Sequence, residues 1–231
     1  MISIIDIIKS YNGNTVVNIP QLEIPTGEIV GLVGNNGAGK TTLFRLILDL
    51  IRADKGEVLS KEKNVATSED WKKYTAAYLD EGFLINYLTP EEYFYFAGKL
   101  HHLSKADVDE FLQRFEAFFD GSILNSGKYI RDLSKGNQFK VGIAACLLQK
   151  PELLILDEPF ANLDPSSQMR LIRMLKELPA QNRMTVFISS HDLNHVTDVC
   201  HRILLMEKGR IIKDIDTTAD TLQELETYFE V

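Results

Sequence analysis

A glycine-rich stretch, GNNGAGKTT at residues 34–42, constrains the fold of this chain more than any other feature. It follows a short apolar run, EIVGLVG, and leads into KTTLFRLILDLI, whose apolar residues recur at helical spacing. The pattern G-x-x-x-x-G-K-[ST] between a strand and a helix is typical of a phosphate-binding loop. A buried strand that turns directly into a helix predicts an α/β domain with a mainly parallel sheet.

The residues of this loop are suited to binding an anion. Three glycines, Gly34, Gly37 and Gly39, allow backbone N–H groups to turn towards phosphate oxygens, and the N-terminus of the following helix adds partial positive charge. Lys40 can bridge the terminal phosphates, and the hydroxyl of Thr41 can ligate Mg²⁺. We therefore predict a nucleotide-binding loop made of Gly34, Asn35, Asn36, Gly37, Ala38, Gly39, Lys40, Thr41 and Thr42.

A second apolar run, LLILDEP at residues 153–159, ends in two carboxylates. Because ligands gather at the carboxyl ends of strands in open α/β sheets, Asp157 is expected to hold the hydration shell of a bound Mg²⁺. Glu158 faces differently and is predicted to act as general base towards an attacking water. A third strand ends in SSHD, where His191 is predicted to contact the terminal phosphate; a purely structural histidine is the alternative.

Strands and helices alternate along most of the chain, which predicts a single domain over residues 1–231. Within it we expect an α/β nucleotide-binding core formed by residues 1–84 and 151–231, with two N-terminal strands joined by a turn at NGN. Residues 85–150 are predicted to be helical, because helix-capping residues precede several apolar stretches of helical spacing. This middle region is therefore predicted as a helical subdomain inserted into the core.

The composition limits the possible partners. A formal net charge of −8 over 231 residues argues against a protein that binds nucleic acid through a broadly basic surface. The two cysteines, Cys146 and Cys200, form no CxxC pair and are predicted to be reduced, half-buried thiols. No apolar run approaches the length of a membrane span, and the N-terminal MISIIDIIKSY does not resemble a signal peptide. We therefore expect that any work at a membrane depends on other proteins.

Taken together, these motifs resemble the nucleotide-binding subunit of ABC transporters over nearly the whole chain. GNNGAGKTT looks like the Walker A loop of that family, LLILDE like its Walker B strand and LSKGNQ like its signature motif, usually LSGGQ. ANLD looks like the D-loop, which ends at Asp164; His191 looks like the switch histidine, and Tyr11 stands where the family stacks an aromatic ring on adenine. The resemblance implies a P-loop NTPase core with a mainly parallel sheet, an N-terminal antiparallel β part and an inserted helical subdomain.

In that family two nucleotide domains pair head to tail, and each buries the ATP of the other. The resemblance therefore implies ATP and Mg²⁺ as cofactors, and a second nucleotide-binding subunit, identical or paralogous, as partner. It also implies integral membrane subunits and a peripheral position on the cytoplasmic face of the cell membrane, with no direct contact to nucleic acid. The signature residues expected to act in trans, at a helix N-terminus suited to an anion, are Ser134, Lys135, Gly136, Asn137 and Gln138.

The chain departs from the family's pattern in two places. Lys135 and Asn137 replace the usual residues beside Gly136, and Lys135 adds positive charge near the expected phosphate. After the strand AAYL, where the family has a glutamine that ligates Mg²⁺, the sequence has Asp80 and Glu81. We identify Glu81 as the better match, and its carboxylate oxygen can still ligate Mg²⁺. Asp80 is the runner-up, and a loop that merely connects two parts of the fold is the alternative to both.

The leading prediction is an ATPase subunit that powers a membrane transporter, and the resemblance to short single-domain bacterial subunits favours export. A soluble ABC ATPase that acts on ribosomes or nucleic acid is the alternative; such proteins usually carry tandem nucleotide domains, coiled-coil insertions or basic extensions, none of which this sequence shows. A nucleotide-gated regulatory subunit with little turnover is a third interpretation, against which the intact Glu158 argues. The transported substrate is not predicted, because in this family the membrane subunits select it.

Overall fold

Two β-sheets and a set of helices make up the fold. The computed structural model describes residues 1–79 and 84–229, without the side chains at 180–182 and 229. In these ranges the strands are β1 (Ile2–Tyr11), β2 (Asn14–Ile24), β3 (Ile29–Val33), β4 (Lys55–Ser60), β5 (Lys63–Asn64), β6 (Thr75–Tyr78), β7 (Leu153–Asp157), β8 (Thr185–Ser190), β9 (Arg202–Glu207) and β10 (Arg210–Asp216). The α-helices are α1 (Lys40–Ile47), α2 (Pro90–Leu100), α3 (Lys105–Arg114), α4 (Glu116–Phe119), α5 (Lys135–Leu148), α6 (Pro165–Asn182), α7 (Leu193–Val199) and α8 (Thr221–Phe229).

The larger sheet has the strand order β10-β9-β3-β8-β7-β6, in which neighbouring strands are parallel except for the antiparallel edge strand β10. The smaller sheet, β2-β1-β4-β5, is antiparallel and contains the N-terminal hairpin. Asn12 and Gly13, at the hairpin turn, both have positive φ angles. A two-residue turn needs such angles if its twist is to match that of the two flanking strands. The mainly parallel sheet and the antiparallel N-terminal part were both predicted from the sequence and are confirmed.

The inner strands β3, β7 and β8 of the larger sheet are buried on both faces, and this explains why they read as largely apolar runs. Val30 and Leu32 of β3 pack into a core shared with the antiparallel sheet and with Phe44 of α1. Their neighbours Ile29 and Val33 point the other way, into a second core formed with the remaining helices. β3, which leads into the phosphate loop, is therefore fixed between two packed layers.

In the sequence, helices α2 to α5 come between β6 and β7, two strands that pair directly in the sheet. The predicted caps are present, because Thr89 and Ser104 each form a capping box with an acidic residue three positions later. The chain thus leaves the sheet after one strand and returns to the adjacent one. We propose that these helices form the helical subdomain predicted at residues 85–150, with the α/β core on either side of it.

The two cysteines are free thiols at different depths: Cys200 is buried, and Cys146 is half-buried as the sequence predicts. Burial raises the pKa of Cys146 to about 12 and that of Cys200 above its ordinary value. Both sulfurs therefore stay protonated and poorly nucleophilic near neutral pH. Among the described residues, no helix combines the length and apolar character that a transmembrane span needs.

Candidate active site

The phosphate loop occupies the connection between β3 and α1. Asn35, Asn36 and Gly37 are exposed, whereas Ala38 and Gly39 are buried beneath them. Gly39 is the N-cap of α1 and has a φ of 109°, a left-handed conformation that a side chain would disfavour. The helix N-terminus therefore opens onto an exposed loop, as a site for phosphate requires.

The ammonium group of Lys40 is buried and points back across this loop. Its Nζ donates a hydrogen bond to the carbonyl oxygen of Gly34 at 2.7 Å and lies 3.3 Å from Oε1 of Glu158. A buried charge is costly unless acceptors surround it, and these two oxygens supply them. Phosphate oxygens placed over the loop can take over this role, which leaves Lys40 poised to bind a polyphosphate.

Thr41 and Asp157 meet at the carboxyl end of the sheet, although 116 positions separate them. The Thr41 hydroxyl donates to Oδ2 of Asp157 at 2.6 Å. Adjacent hydroxyl and carboxylate oxygens are the kind of donors that Mg²⁺ takes beside substrate phosphates and waters. No cluster of three His, Cys, Asp or Glu side chains suited to a metal occurs in the part of the chain that the structure describes. The Thr41 and Asp157 oxygens fit a cation that is held jointly with a nucleotide.

Glu158 is the first residue after β7, and its backbone has a positive φ of 49°. This conformation turns the carboxylate away from the direction of Asp157 and towards the end of β8. There Oε2 of Glu158 lies 2.8 Å from Nδ1 of His191 and accepts the backbone N–H of His191 at 3.3 Å. With Oε1 facing Lys40, the structure brings together the three residues predicted to be catalytic.

Ser189 belongs to this site but was not predicted. It lies in register with Asp157 on the adjacent parallel strand and is fully buried. Its hydroxyl donates to Oδ1 of Asp157 and accepts the backbone N–H of Glu158 at 3.0 Å. The sequence signal is the pair of serines, Ser189 and Ser190, that precedes His191 in SSHD. Only the strand register shows that Ser189 is the one that faces the acidic pair.

The predicted signature residues form the N-terminus of α5. Ser134 is the N-cap, is exposed, and accepts the backbone N–H of Asn137 at 3.3 Å. Asn137 also donates from its side chain to Ser122 at 3.3 Å. Gln138 is buried, and its amide donates to the carbonyl oxygen of Leu133 at 3.1 Å. Ser134 is thus available to a ligand outside the chain, whereas the Gln138 side chain holds the loop that leads into the helix.

Gly136 packs closely against the D-loop. A Cβ atom at this position would lie 2.6 Å from the carbonyl oxygen of Asn162. The D-loop thereby contacts the start of α5, and a cleft of about 560 Å³ opens beside them. The cleft is lined by Tyr78, Leu79, Asn86, Arg131, Lys135, Gln138, Phe139, Asp157, Glu158 and Asn162. The structure therefore places signature residues and the acidic pair of one chain along the same cleft.

Asp164 at the end of the D-loop is the N-cap of α6. Its carboxylate accepts hydrogen bonds from the Ser167 hydroxyl at 2.5 Å, the Ser166 hydroxyl at 2.7 Å and the Ser167 backbone N–H at 3.1 Å. These bonds, with the Ser167 hydroxyl first, hold the pKa of Asp164 well below its ordinary value of 3.8. The carboxylate is therefore occupied within its own chain.

The cap at Asp164 makes a pH-dependent contribution to stability. A lowered pKa in the folded state stabilises the fold above the ordinary pKa of 3.8, and this contribution is lost as the pH falls through the lowered pKa. We expect Asp164→Ala to lower the unfolding temperature at neutral pH, with a difference from the unsubstituted protein that shrinks below pH 3.8. Thermal unfolding followed by circular dichroism measures it, with Asp164→Asn as the control that keeps a capping oxygen. A difference that widens with acidification would contradict this account.

Tyr11 lies at the end of β1, where its ring is exposed and Nζ of Lys9 lies 5.3 Å from the ring centre. The second strand of the hairpin runs beside the phosphate loop: a Cβ atom on Gly39 would lie 2.6 Å from the carbonyl oxygen of Val16. The hairpin that carries Tyr11 thus also contributes a strand beside the loop, and the Tyr11 ring is exposed near the hairpin turn. The two residues predicted to replace the family's glutamine, Glu81 and Asp80, lie outside the described residues.

Models of two known protein families match parts of this chain. A family model described as "ABC transporter" matches residues 17–161, which include the phosphate loop, the signature helix and the acidic pair. A second model, described as "AAA domain, putative AbiEii toxin, Type IV TA system", matches residues 127–197. Since the first match extends over more than half of the sequence, the chain belongs to the ABC transporter family. It is an ATP-binding subunit with the ATPase fold and activity of that family, as the resemblance implied.

Individual relatives are identical to this chain at about a third of the aligned positions. The chain is 34% identical over 213 residues to the bacitracin transport ATP-binding protein BcrA of Enterococcus faecalis, covering 90% of this chain and 67% of that protein. It is 31% identical over 223 residues to the methionine import ATP-binding protein MetN 1 of Bacillus thuringiensis, covering 93% of this chain and 66% of that protein. The relatives thus include a protein named for import.

Solved structures share the fold. An ATP-binding subunit of an ABC transporter superposes with a TM-score of 0.84 at 25% identity, covering 98% of this chain and 93% of the other. The cassette MJ0796, solved as a dimer in a post-hydrolysis state bound to ADP and Pi, gives a TM-score of 0.83 at 22% identity, covering 95% of this chain and all of that one. These likenesses confirm the P-loop fold with its antiparallel and helical parts.

Proposed function

We propose that this subunit hydrolyses ATP in a head-to-tail dimer and thereby powers a membrane transporter, in the direction of export. The observation that carries the hydrolytic part is the Glu158 carboxylate, held between the ammonium of Lys40 and the imidazole of His191. A general base must lie within hydrogen-bonding reach of the water it activates and beside the group that water attacks. Glu158 meets this requirement if the terminal phosphate binds at Lys40.

The proposed reaction is an in-line displacement at the terminal phosphorus. The water oxygen forms a bond to phosphorus, its proton passes to Glu158, and the bond to the bridging oxygen of ADP breaks, so that ADP and phosphate are released. Lys40 balances charge on the phosphate oxygens, and His191 holds the carboxylate and the terminal phosphate in line. Thr41 and Asp157 are the described residues that would hold Mg²⁺, which supplies further neutralisation of phosphate charge when bound. Glu81 is proposed as an additional ligand on the sequence alone.

The dimeric arrangement is supported by the start of α5. Ser134 and Lys135 at the start of α5 are exposed, and an exposed helix N-terminus with a hydroxyl is suited to bind phosphate from another chain. A dimer is also the state in which the similar cassette MJ0796 was solved with ADP and Pi. ATP that contacts both chains favours the closed pair, and its hydrolysis then loosens it, which is a ligand-driven shift of population.

Complementation between two inactive variants tests the in-trans site. Lys40→Ala removes the phosphate contact but keeps α5, whereas Gly136→Ala disturbs the start of α5 but keeps the phosphate loop. Each variant alone is expected to lose ATP turnover. In an equal mixture about half of the dimers contain one chain of each kind and hold one complete site, so turnover should reappear. If native mass spectrometry detects mixed dimers but turnover stays at the level of either parent, the in-trans arrangement is wrong.

The transport role is tested by isolating partners. The tagged chain is purified from native membranes in mild detergent, and co-purifying proteins are identified by mass spectrometry. A multi-span membrane protein in stoichiometric amount supports the proposal and a position at the cytoplasmic membrane face. Ribosomal proteins or nucleic acid in its place would overturn it and leave a soluble ATPase. Transport assays in inside-out vesicles with the recovered complex then distinguish export, which we propose from the resemblance to short single-domain bacterial subunits, from import.

A further inference from the structure

Ser189 connects the two acidic residues of the active site. Its side chain is fully buried at the end of β8, in register with Asp157 on β7. Residues in register on neighbouring parallel strands point to the same face of the sheet, so the hydroxyl and the carboxylate are side by side. This contact follows from the register of the central strands and is independent of the loops around the site.

The hydrogen bonds of Ser189 have a defined direction. A hydroxyl has a single proton, and a carboxylate can only accept, so Ser189 donates to Oδ1 of Asp157. The lone pairs of the same oxygen then accept the backbone N–H of Glu158 at 3.0 Å. Oδ2 of Asp157 is held separately by Thr41 at 2.6 Å. Both carboxylate oxygens therefore have fixed partners, and the Asp157 side chain cannot rotate without breaking one of them.

The bond to Glu158 acts on a strained part of the backbone. Glu158 has a φ of 49°, which a residue with a side chain adopts only where its surroundings enforce it. The Glu158 N–H is held by the Ser189 hydroxyl and also by the Ser189 carbonyl oxygen at 3.2 Å. This is the conformation that directs the Glu158 carboxylate towards Lys40 and His191.

We infer that Ser189 is a positioning residue that aligns the metal-binding carboxylate of Asp157 and the general base Glu158 through one hydroxyl group. The inference rests on the proposed placement of Mg²⁺ at Thr41 and Asp157. Outer partners of metal ligands typically affect metal affinity or activity ~10–100-fold when removed. We therefore expect Ser189→Ala to weaken metal binding by ~10-fold or more and to lower kcat.

Mn²⁺ serves as the probe, because its spectrum in electron paramagnetic resonance reports binding without turnover. Titration of Mn²⁺ in the presence of ADP gives the metal Kd, and steady-state assays give kcat and the Mg²⁺ concentration for half-maximal rate. Nucleotide affinity in EDTA should be the same for Ser189→Ala and the unsubstituted protein. If Ser189→Ala matches the unsubstituted protein in metal Kd and kcat, the inference is overturned.

Two matched substitutions distinguish the effect of the Ser189 hydroxyl group from the effect of side-chain packing at this buried position. Ser189→Thr and Ser189→Val add nearly the same volume, but only threonine keeps the hydroxyl. We expect threonine to retain metal affinity relative to valine; equal losses in both would reduce the role of Ser189 to packing and overturn the inference. Unfolding temperatures of both variants show whether the fold is preserved.

Thr185 supplies a control on the same strand. It is fully buried at the opposite end of β8, where its hydroxyl accepts the backbone N–H of Gly27 at 2.9 Å. Thr185→Val should lower stability but leave the metal Kd unchanged; an equal change in metal Kd would overturn the inference. If the unsubstituted protein itself shows no ADP-dependent Mn²⁺ signal, the proposed metal site fails together with the inference. A normal signal that Ser189→Ala leaves intact refutes the inference alone.

Discussion

Replacement of Glu158 by glutamine is expected to lower ATP turnover by ~10²–10⁴-fold, the usual contribution of general-base catalysis, while ATP binding persists. The amide keeps the size of the side chain and an oxygen that can face Lys40, but it cannot accept a proton from water. The ATP-bound closed dimer should therefore accumulate. Phosphate release assays measure the turnover, and analytical ultracentrifugation with and without ATP measures the dimer.

Glu152 offers a control for this substitution on the same strand segment. It lies just before β7, at the end of the strand opposite Glu158, and its carboxylate pairs with Lys61 at 2.7 Å on the exposed surface. Glu152→Gln also removes one negative charge but should leave turnover unchanged, because exposed ion pairs contribute little. Undiminished turnover in Glu158→Gln would show that another residue activates the water.

Gly142→Ala is expected to destabilise the protein, although alanine favours helices over glycine by ~0.5–1 kcal/mol. A Cβ atom at this position would lie 2.0 Å from Cε2 of Tyr78, far inside van der Waals contact. The Tyr78 ring is buried and fixed by an edge-on contact with Phe139 at a centroid distance of 4.8 Å. Such overpacking typically costs ~1–3 kcal/mol, which outweighs the helix preference.

Once the helix preference is subtracted, the net loss of up to ~2.5 kcal/mol lowers the unfolding temperature of a chain of this size by up to roughly 10 °C, which thermal denaturation measures. In a Tyr78→Leu background the ring is absent, so the added methyl group should cost much less, and the double-mutant cycle gives the coupling. A gain of stability from Gly142→Ala alone, as helix preference predicts, would show that the contact is not tight. Because α5 begins at the signature residues, we also expect the displaced helix to reduce ATP-dependent dimer formation.

Much of the fold and site follows from local sequence. The phosphate loop, the capped helix starts at Thr89 and Ser104 and the carboxylates after β7 each depend on residues close together in the chain, so they could be predicted. Local chemistry therefore indicated that the chain binds a nucleotide and which residues to propose as its catalytic groups.

Contacts between distant segments could not be predicted in this way. Ser189 and Ser190 are alike in the sequence, and only the register of β8 against β7 places the first on the face of Asp157. Gln138 belongs to the same predicted signature motif as the exposed Ser134. Its side chain is nevertheless buried and donates to the carbonyl oxygen of Leu133 in the preceding loop.

The sequence by itself determined the kinds of residues at the active site, because phosphate binding and helix capping depend on short-range backbone geometry. Only the tertiary structure decided how they act together. The hydrogen bonds among Thr41, Asp157, Ser189 and Glu158 join the start of α1 to the ends of β7 and β8, and the bonded residues are 31 to 116 positions apart. Their alignment is a property of sheet register and packing, which no single segment of the chain contains.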